Sequence, residues 1–147
     1  MKTPFLFALL CFTLYSFSLN AQSESPLEDA YEGKEMPRFY HSPCEAMEDE
    51  EERQKCADKA MLELVYKNIY YPAGAKNDEI EGTVVISFMI DAEGTPSDYK
   101  VSRSVRADVD EVALNVVKEH LTKWVPAKEE GIPIFSPFHM PVRFRLK

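Results

Sequence analysis

Between Ile80 and Asp91, Val84, Ile86, Phe88 and Ile90 fall on every second position. That alternation marks a β-strand with one buried face. Val85 and Met89 sit on the other face, which is therefore not fully polar. A strand apolar on both sides belongs in the middle of a sheet. Asp91-Ala92-Glu93-Gly94 follows at once and has the residue types of a short hairpin loop, with Gly94 able to take a positive φ. The chain then returns from Pro96 to Ser104, where Tyr99 and Val101 alternate with polar residues. The rest of the sequence reads as cover for this hairpin or as a third strand beside it.

The third strand is expected from His139 to Lys147. Met140, Val142, Phe144 and Leu146 point one way; His139, Pro141, Arg143, Arg145 and Lys147 point the other. Pro141 has no N–H for a ladder, which places this strand at a sheet edge. Two helices complete the set. Met61, Leu62, Val65, Tyr66 and Ile69 make one apolar stripe after Cys56, closed by Pro72. Val109, Ala113, Val116, Val117, Leu121 and Trp124 make a second stripe, with Asp108 and Glu111 spaced as a capping box and Pro126 as the stop. His120 borders that stripe and reads as a helix-surface residue. Ala73 to Glu79 is a connector, and Ala127 to Pro133 a turn.

The order helix, strand, strand, helix, strand gives an α+β domain of two layers. A three-stranded antiparallel sheet carries both helices on one face, with the 80–91 strand in the centre.

The start, MKTPFLFALLCFTLYSFSLNAQ, reads as a secretory signal peptide over residues 1–21. Residues 22–56 form an acidic lead-in segment and residues 57–147 the domain. The net charge of −8 is concentrated in the lead-in. Between Gln22 and Ala60 there are twelve acids against five bases; from Met61 onward there are thirteen against eleven. A basic footprint for nucleic acid is absent. The run Glu48 to Glu52 reads as a solvated face. Met36-Pro37-Arg38-Phe39-Tyr40 is a short apolar patch that adds an edge strand or lies along the domain; the Cys44 to Cys56 segment reads as either helix or loop.

Past the leader the chain holds two cysteines, Cys44 and Cys56. An even pair in an exported chain argues for a disulfide. His41 lies three residues before Cys44, but two cysteines without a second nearby histidine make a poor zinc set. There is no Gly-x-Ser-x-Gly, no phosphate-binding loop and no His-Glu-x-x-His. The sequence offers no catalytic constellation and calls for no cofactor.

Taken together, Tyr71-Pro72, Ala75, Ile80-Glu81-Gly82-Thr83-Val84, Asp91, Gly94, Ser104, Asp110, Ala113, Trp124-x-Pro126-Ala127, Gly131-x-Pro133 and Pro141-Val142-x-Phe144 resemble the C-terminal domain of TonB-type energy transducers. The resemblance covers about Met61 to Lys147. The Met36–Phe39 patch and the cysteine pair also look like the extended, Bacteroidetes-type form of that domain. The resemblance implies a non-enzymatic periplasmic module. Its partner would be the N-terminal box peptide of an outer-membrane receptor, added as a strand along the His139, Met140, Pro141, Val142, Arg143, Phe144, Arg145, Leu146 edge. It also implies a link to inner-membrane motor proteins, which a cleaved leader would remove. Neither a small-molecule substrate nor nucleic acid is expected as a partner. The other function considered is a free-standing periplasmic adaptor with the same fold and no energy coupling.

Overall fold

A computed structural model describes residues 33–146. The expected signal peptide, the first part of the acidic lead-in and Lys147 lie outside the described residues. The chain runs β1 (Lys34–Glu35), β2 (Arg38–Phe39), α1 (Ser42–Glu45), α2 (Glu50–Asn68), α3 (Ala73–Asn77), β3 (Gly82–Ile90), β4 (Pro96–Arg103), α4 (Ala107–His120), β5 (Trp124–Val125), β6 (Ala127–Glu129), β7 (Ile132–Ile134) and β8 (Ser136–Phe144).

The main sheet has the order β4-β3-β8 and is antiparallel throughout. As its two-sided apolar pattern requires, β3 is central. Val84, Ile86, Phe88 and Ile90 are buried, and Val85 and Met89 are half-buried. On the same side lie Val109, Val112, Ala113, Val116 and Val117 of α4, and Met61 and Val65 of α2, in one core with Met140, Val142 and Phe144 of β8. The domain is thus mixed α and β, with helices over one face of an antiparallel sheet.

Four local expectations are corrected. The first helix begins at Glu50, inside the acidic run, and so crosses the division expected between residues 56 and 57. Asp49 caps it by accepting from the Glu52 N–H at 2.8 Å. Glu50, Glu51 and Glu52 occupy the first turn, where the positive end of the helix dipole favours acids. The buried seam of α2 is Ala57, Met61 and Val65; Leu62 and Tyr66 are 40% and 44% exposed. Only one narrow side of the helix faces the core, so the stripe read from the sequence is too wide. The helix stops at Asn68, four residues before Pro72, because a proline ring clashes with the carbonyl four residues back.

The second helix also starts differently. Arg106 occupies its N-cap without a side-chain capping bond. Asp108 grips the Arg106 guanidinium instead, at 2.7 Å to both Nε and Nη2. Those bonds hold the Asp108 carboxyl below its ordinary range. Arg106 also reaches Asp78 at 2.6 Å. Asp110 closes the loop ahead of α4, accepting from the Val105 N–H at 2.9 Å and from the Ser104 hydroxyl. The helix ends at His120, so Trp124 lies beyond it in β5.

β5 pairs with β2 through Phe39↔Trp124 and Arg38↔Val125. Within the 36–40 patch Arg38–Phe39 therefore forms a short strand, and Phe39 belongs to the core. The 127–133 turn is a β6–β7 hairpin, closed by Glu130 and Gly131 at φ 52° and 79°. β1 pairs with β6 on the other side, Lys34↔Glu129 and Glu35↔Lys128.

Candidate functional site

β8 and β4 are the two edges of the main sheet. They differ in regularity. β4 meets β3 with register shifts at Val85/Ile86 and Ser87/Met89, and Asp98 within it sits at φ 53°. Irregular pairing of this kind twists an edge away from further pairing. β8 meets β3 over nine consecutive positions, from Gly82↔Phe144 to Ile90↔Ser136, without a shift. Its far side has no strand partner among the described residues.

The strand starts three residues earlier than the alternation alone indicates and ends at Phe144. Met140, Val142 and Phe144 are buried as expected, whereas Leu146 is only half-buried. β3 begins at Gly82, opposite Phe144, so no strand residue remains to pair beyond that point. The Leu146 N–H donates to Glu81 Oε1 instead, at 2.6 Å. His139, Pro141, Arg143 and Arg145 are exposed. The site therefore combines a regular, unpaired main-chain edge with a basic exposed side-chain row.

The Arg143 N–H fixes which main-chain groups face outward. It donates to the Tyr66 hydroxyl of α2 at 3.2 Å, not to β3. Alternate residues of a strand aim their main-chain groups the same way. Residues 137, 139, 141 and 143 therefore face the open side. Two of these four are Pro137 and Pro141.

The other residues of the recognised pattern build the frame that holds this edge. The Tyr71 hydroxyl donates to the Ile80 carbonyl, and its ring meets Phe144 edge-on at 5.6 Å. Pro72 is buried, and its carbonyl starts α3 by accepting from the Lys76 N–H at 2.9 Å. Gly82 leaves no room for a side chain, since a Cβ there would lie 2.8 Å from Val105 Cγ2. Trp124 packs edge-on against Phe39 and Phe88 and at a tilt against Phe138, with ring centroids at 5.7, 5.4 and 4.5 Å. Gly94 and Pro126 pack beside it, and Gly131 and Pro133 belong to the β6–β7 hairpin.

Cys44 and Cys56 are joined, with Cα atoms 5.6 Å apart, fastening α1 to α2. His41 Nδ1 lies 3.2 Å from Cys44 Sγ. With both sulfurs in the bond, no free thiolate remains there to hold a metal.

Residues 67–146 match the family described as Gram-negative bacterial TonB protein C-terminal. This chain belongs to the TonB C-terminal family. The TonB match takes in α3, α4 and the whole main sheet, β8 included. Protein TonB of Vibrio cholerae serotype O1 (strain ATCC 39315 / El Tor Inaba N16961) is 32% identical over 91 residues, 61% of this chain and 36% of that protein. The chain thus spans about a third of the length of the TonB it matches. Two NMR solution structures of the Helicobacter pylori TonB-CTD are also similar. The one of residues 179–285 has a TM-score of 0.47 at 28% identity, covering 59% of this chain and 78% of that one. The one of residues 194–285 has a TM-score of 0.46 at 24% identity, covering 61% and 92%.

One contributor to the site was not visible in the sequence. The helical periodicity assigns Tyr66 to the buried stripe of α2, whereas it stands exposed at the β8 edge. Its partner is 77 residues away in sequence, and no local pattern carries that information.

Proposed function

We propose that this chain is a periplasmic TonB-type module that binds the box peptide of outer-membrane receptors, in energy-coupled transport across the outer membrane. The peptide adds as a strand to the open side of β8. The observation that carries this reading is the contrast between the sheet's two edges: β4 is broken by register shifts, and β8 is regular over nine residues with its far side open. Strand addition takes affinity from main-chain hydrogen bonds and preference from side chains next to the edge. Here those side chains are His139, Arg143 and Arg145, which favour a peptide with acidic residues on the facing positions. Membership of the TonB C-terminal family supports the choice of partner.

The test is isothermal titration with a panel of synthetic peptides copied from the N-terminal segments of outer-membrane receptors of the same bacterium. Binding by at least one peptide, weakened in Arg143→Glu/Arg145→Glu protein with an unchanged circular dichroism spectrum, is the expected result. Equal binding by the charge-reversed protein would remove the side-chain part of the reading. Absence of binding across the panel would remove the partner.

A further inference from the structure

The open side of β8 presents donors and acceptors in unequal number. Residues 137, 139, 141 and 143 all aim carbonyls outward. Only two of them can also offer an N–H, because Pro137 and Pro141 have none. Those two are His139 and Arg143, and the Arg143 N–H is already spent on the Tyr66 hydroxyl at 3.2 Å. An incoming strand therefore finds four acceptors but one free donor, at His139. To gain the second donor it must take the place of the tyrosine hydroxyl.

Tyr66 is well placed for this. Its neighbour Val65 is fully buried and Met61 nearly so, which anchors this stretch of α2, while the Tyr66 ring stays 44% exposed. The hydroxyl thus rests on the edge from a fixed support but has solvent to swing into. The prolines limit promiscuous pairing permanently; the tyrosine limits it reversibly.

We propose that Tyr66 is a latch on the β8 edge, which a partner strand displaces when it pairs with Arg143. This rests on the strand-addition reading above. The partner it selects is an extended peptide that supplies mainly N–H donors, tolerates an unpaired carbonyl opposite Pro141, and outcompetes one phenol hydroxyl. The latch makes occupancy of the His139 end the easier first step and engagement of Arg143 the later one.

The experiment uses the full chain and two variants that lack the hydroxyl, Tyr66→Phe and Tyr66→Leu, each checked for fold by circular dichroism. Without peptide, amide hydrogen exchange followed by NMR reads the latch directly. Exchange at Arg143 is expected to accelerate in both variants while that at His139 stays as in the wild type. Unchanged exchange at Arg143 would overturn the latch. With the receptor-derived peptide panel, titration is expected to show roughly two- to tenfold tighter binding to the variants, the worth of one released hydrogen bond. Faster exchange with equal or weaker peptide binding would overturn the gating role. Absence of binding to wild type and both variants would overturn the receptor-peptide reading and the gating with it, leaving the exchange result to describe a purely structural contact.

Discussion

Gly94 and Trp124 are locked together through their main chains. The Trp124 N–H donates to the Gly94 carbonyl at 3.0 Å, and a Cβ built on Gly94 would stand 2.0 Å from the Trp124 carbonyl oxygen. Gly94 also holds φ at +83°. The hairpin turn that fixes the register of β3 and β4 is thus pressed against the short strand that fixes Phe39 and the indole. Neither constraint tolerates a side chain. Gly94→Ala is expected to cost at least about 3 kcal/mol, combining left-handed strain with a backbone clash. Denaturant melts measure it; a loss under about 1 kcal/mol would mean that the turn relaxes freely.

Trp124 is 3% exposed and meets three other aromatic rings, and its Nε1–H donates to the Leu121 carbonyl at 3.0 Å. Trp124→Ala should therefore cost about 3–5 kcal/mol, the range for emptying a large aromatic site. Because Phe138 of β8 is one of those rings, the loss should also loosen the edge strand. Faster amide exchange across β8 in the variant, beyond that in an equally destabilised control, is the matching observation.

The bond between Cys44 and Cys56 closes a short loop, with a sequence separation of 12. In the chain-entropy description such a closure contributes about 3 kcal/mol. Peptide mapping after alkylation without reductant should find neither cysteine modified. Replacing both by alanine should lower stability by about that amount and leave the β8 edge competent, since α2 keeps its buried seam at Ala57, Met61 and Val65. Complete unfolding of the double variant would show that the bond defines α2 and does not merely brace it.

Acid should weaken the fold in a definite window. Arg38 is buried in β2, and its guanidinium hydrogen-bonds Glu45 of α1, one contact being Nη2 to Oε2 at 3.2 Å. These bonds hold the Glu45 carboxyl below its ordinary value of 4.5. A carboxyl depressed in the folded state stabilises fully above its unfolded value, and that contribution fades as pH falls through the folded value. Asp108, held low by Arg106, acts with the same sign. Thermal melts between neutral pH and pH 3 should show falling stability below about pH 4.5. Glu45→Gln should flatten part of the slope. An unchanged slope would place the acid sensitivity elsewhere.

The pattern-bearing parts of the fold were legible in the sequence. Alternation at Val84, Ile86, Phe88 and Ile90 marked the central strand, and alternation at Met140, Val142 and Phe144 marked the edge, because a strand with one buried face must repeat every two residues. Features set by distant partners were not legible. Phe39 reaches the core by pairing with Trp124, 85 positions further along the chain. Asp108 serves Arg106 and not the helix N-cap because α4 begins at Ala107, which puts Asp108 inside the first turn with the Arg106 guanidinium in reach. Leu62 and Met61 look alike in a helical stripe, yet only Met61 faces the core. At the site the same division holds: the alternation puts Met140, Val142 and Phe144 on one face of the strand and His139, Pro141 and Arg143 on the other, while the hydroxyl that accepts from the Arg143 N–H comes from Tyr66, on another element.

The most direct test of the account is NMR titration of isotope-labelled protein with a binding receptor-derived peptide. The account predicts that the largest amide shifts fall on His139 and Arg143 and their β8 neighbours. New cross-strand contacts from peptide Hα and N–H protons to residues 137–143 should appear beside them, with the β3–β8 pairing intact. Shifts and contacts clustered along β4, between Pro96 and Arg103, or away from both sheet edges, would contradict it.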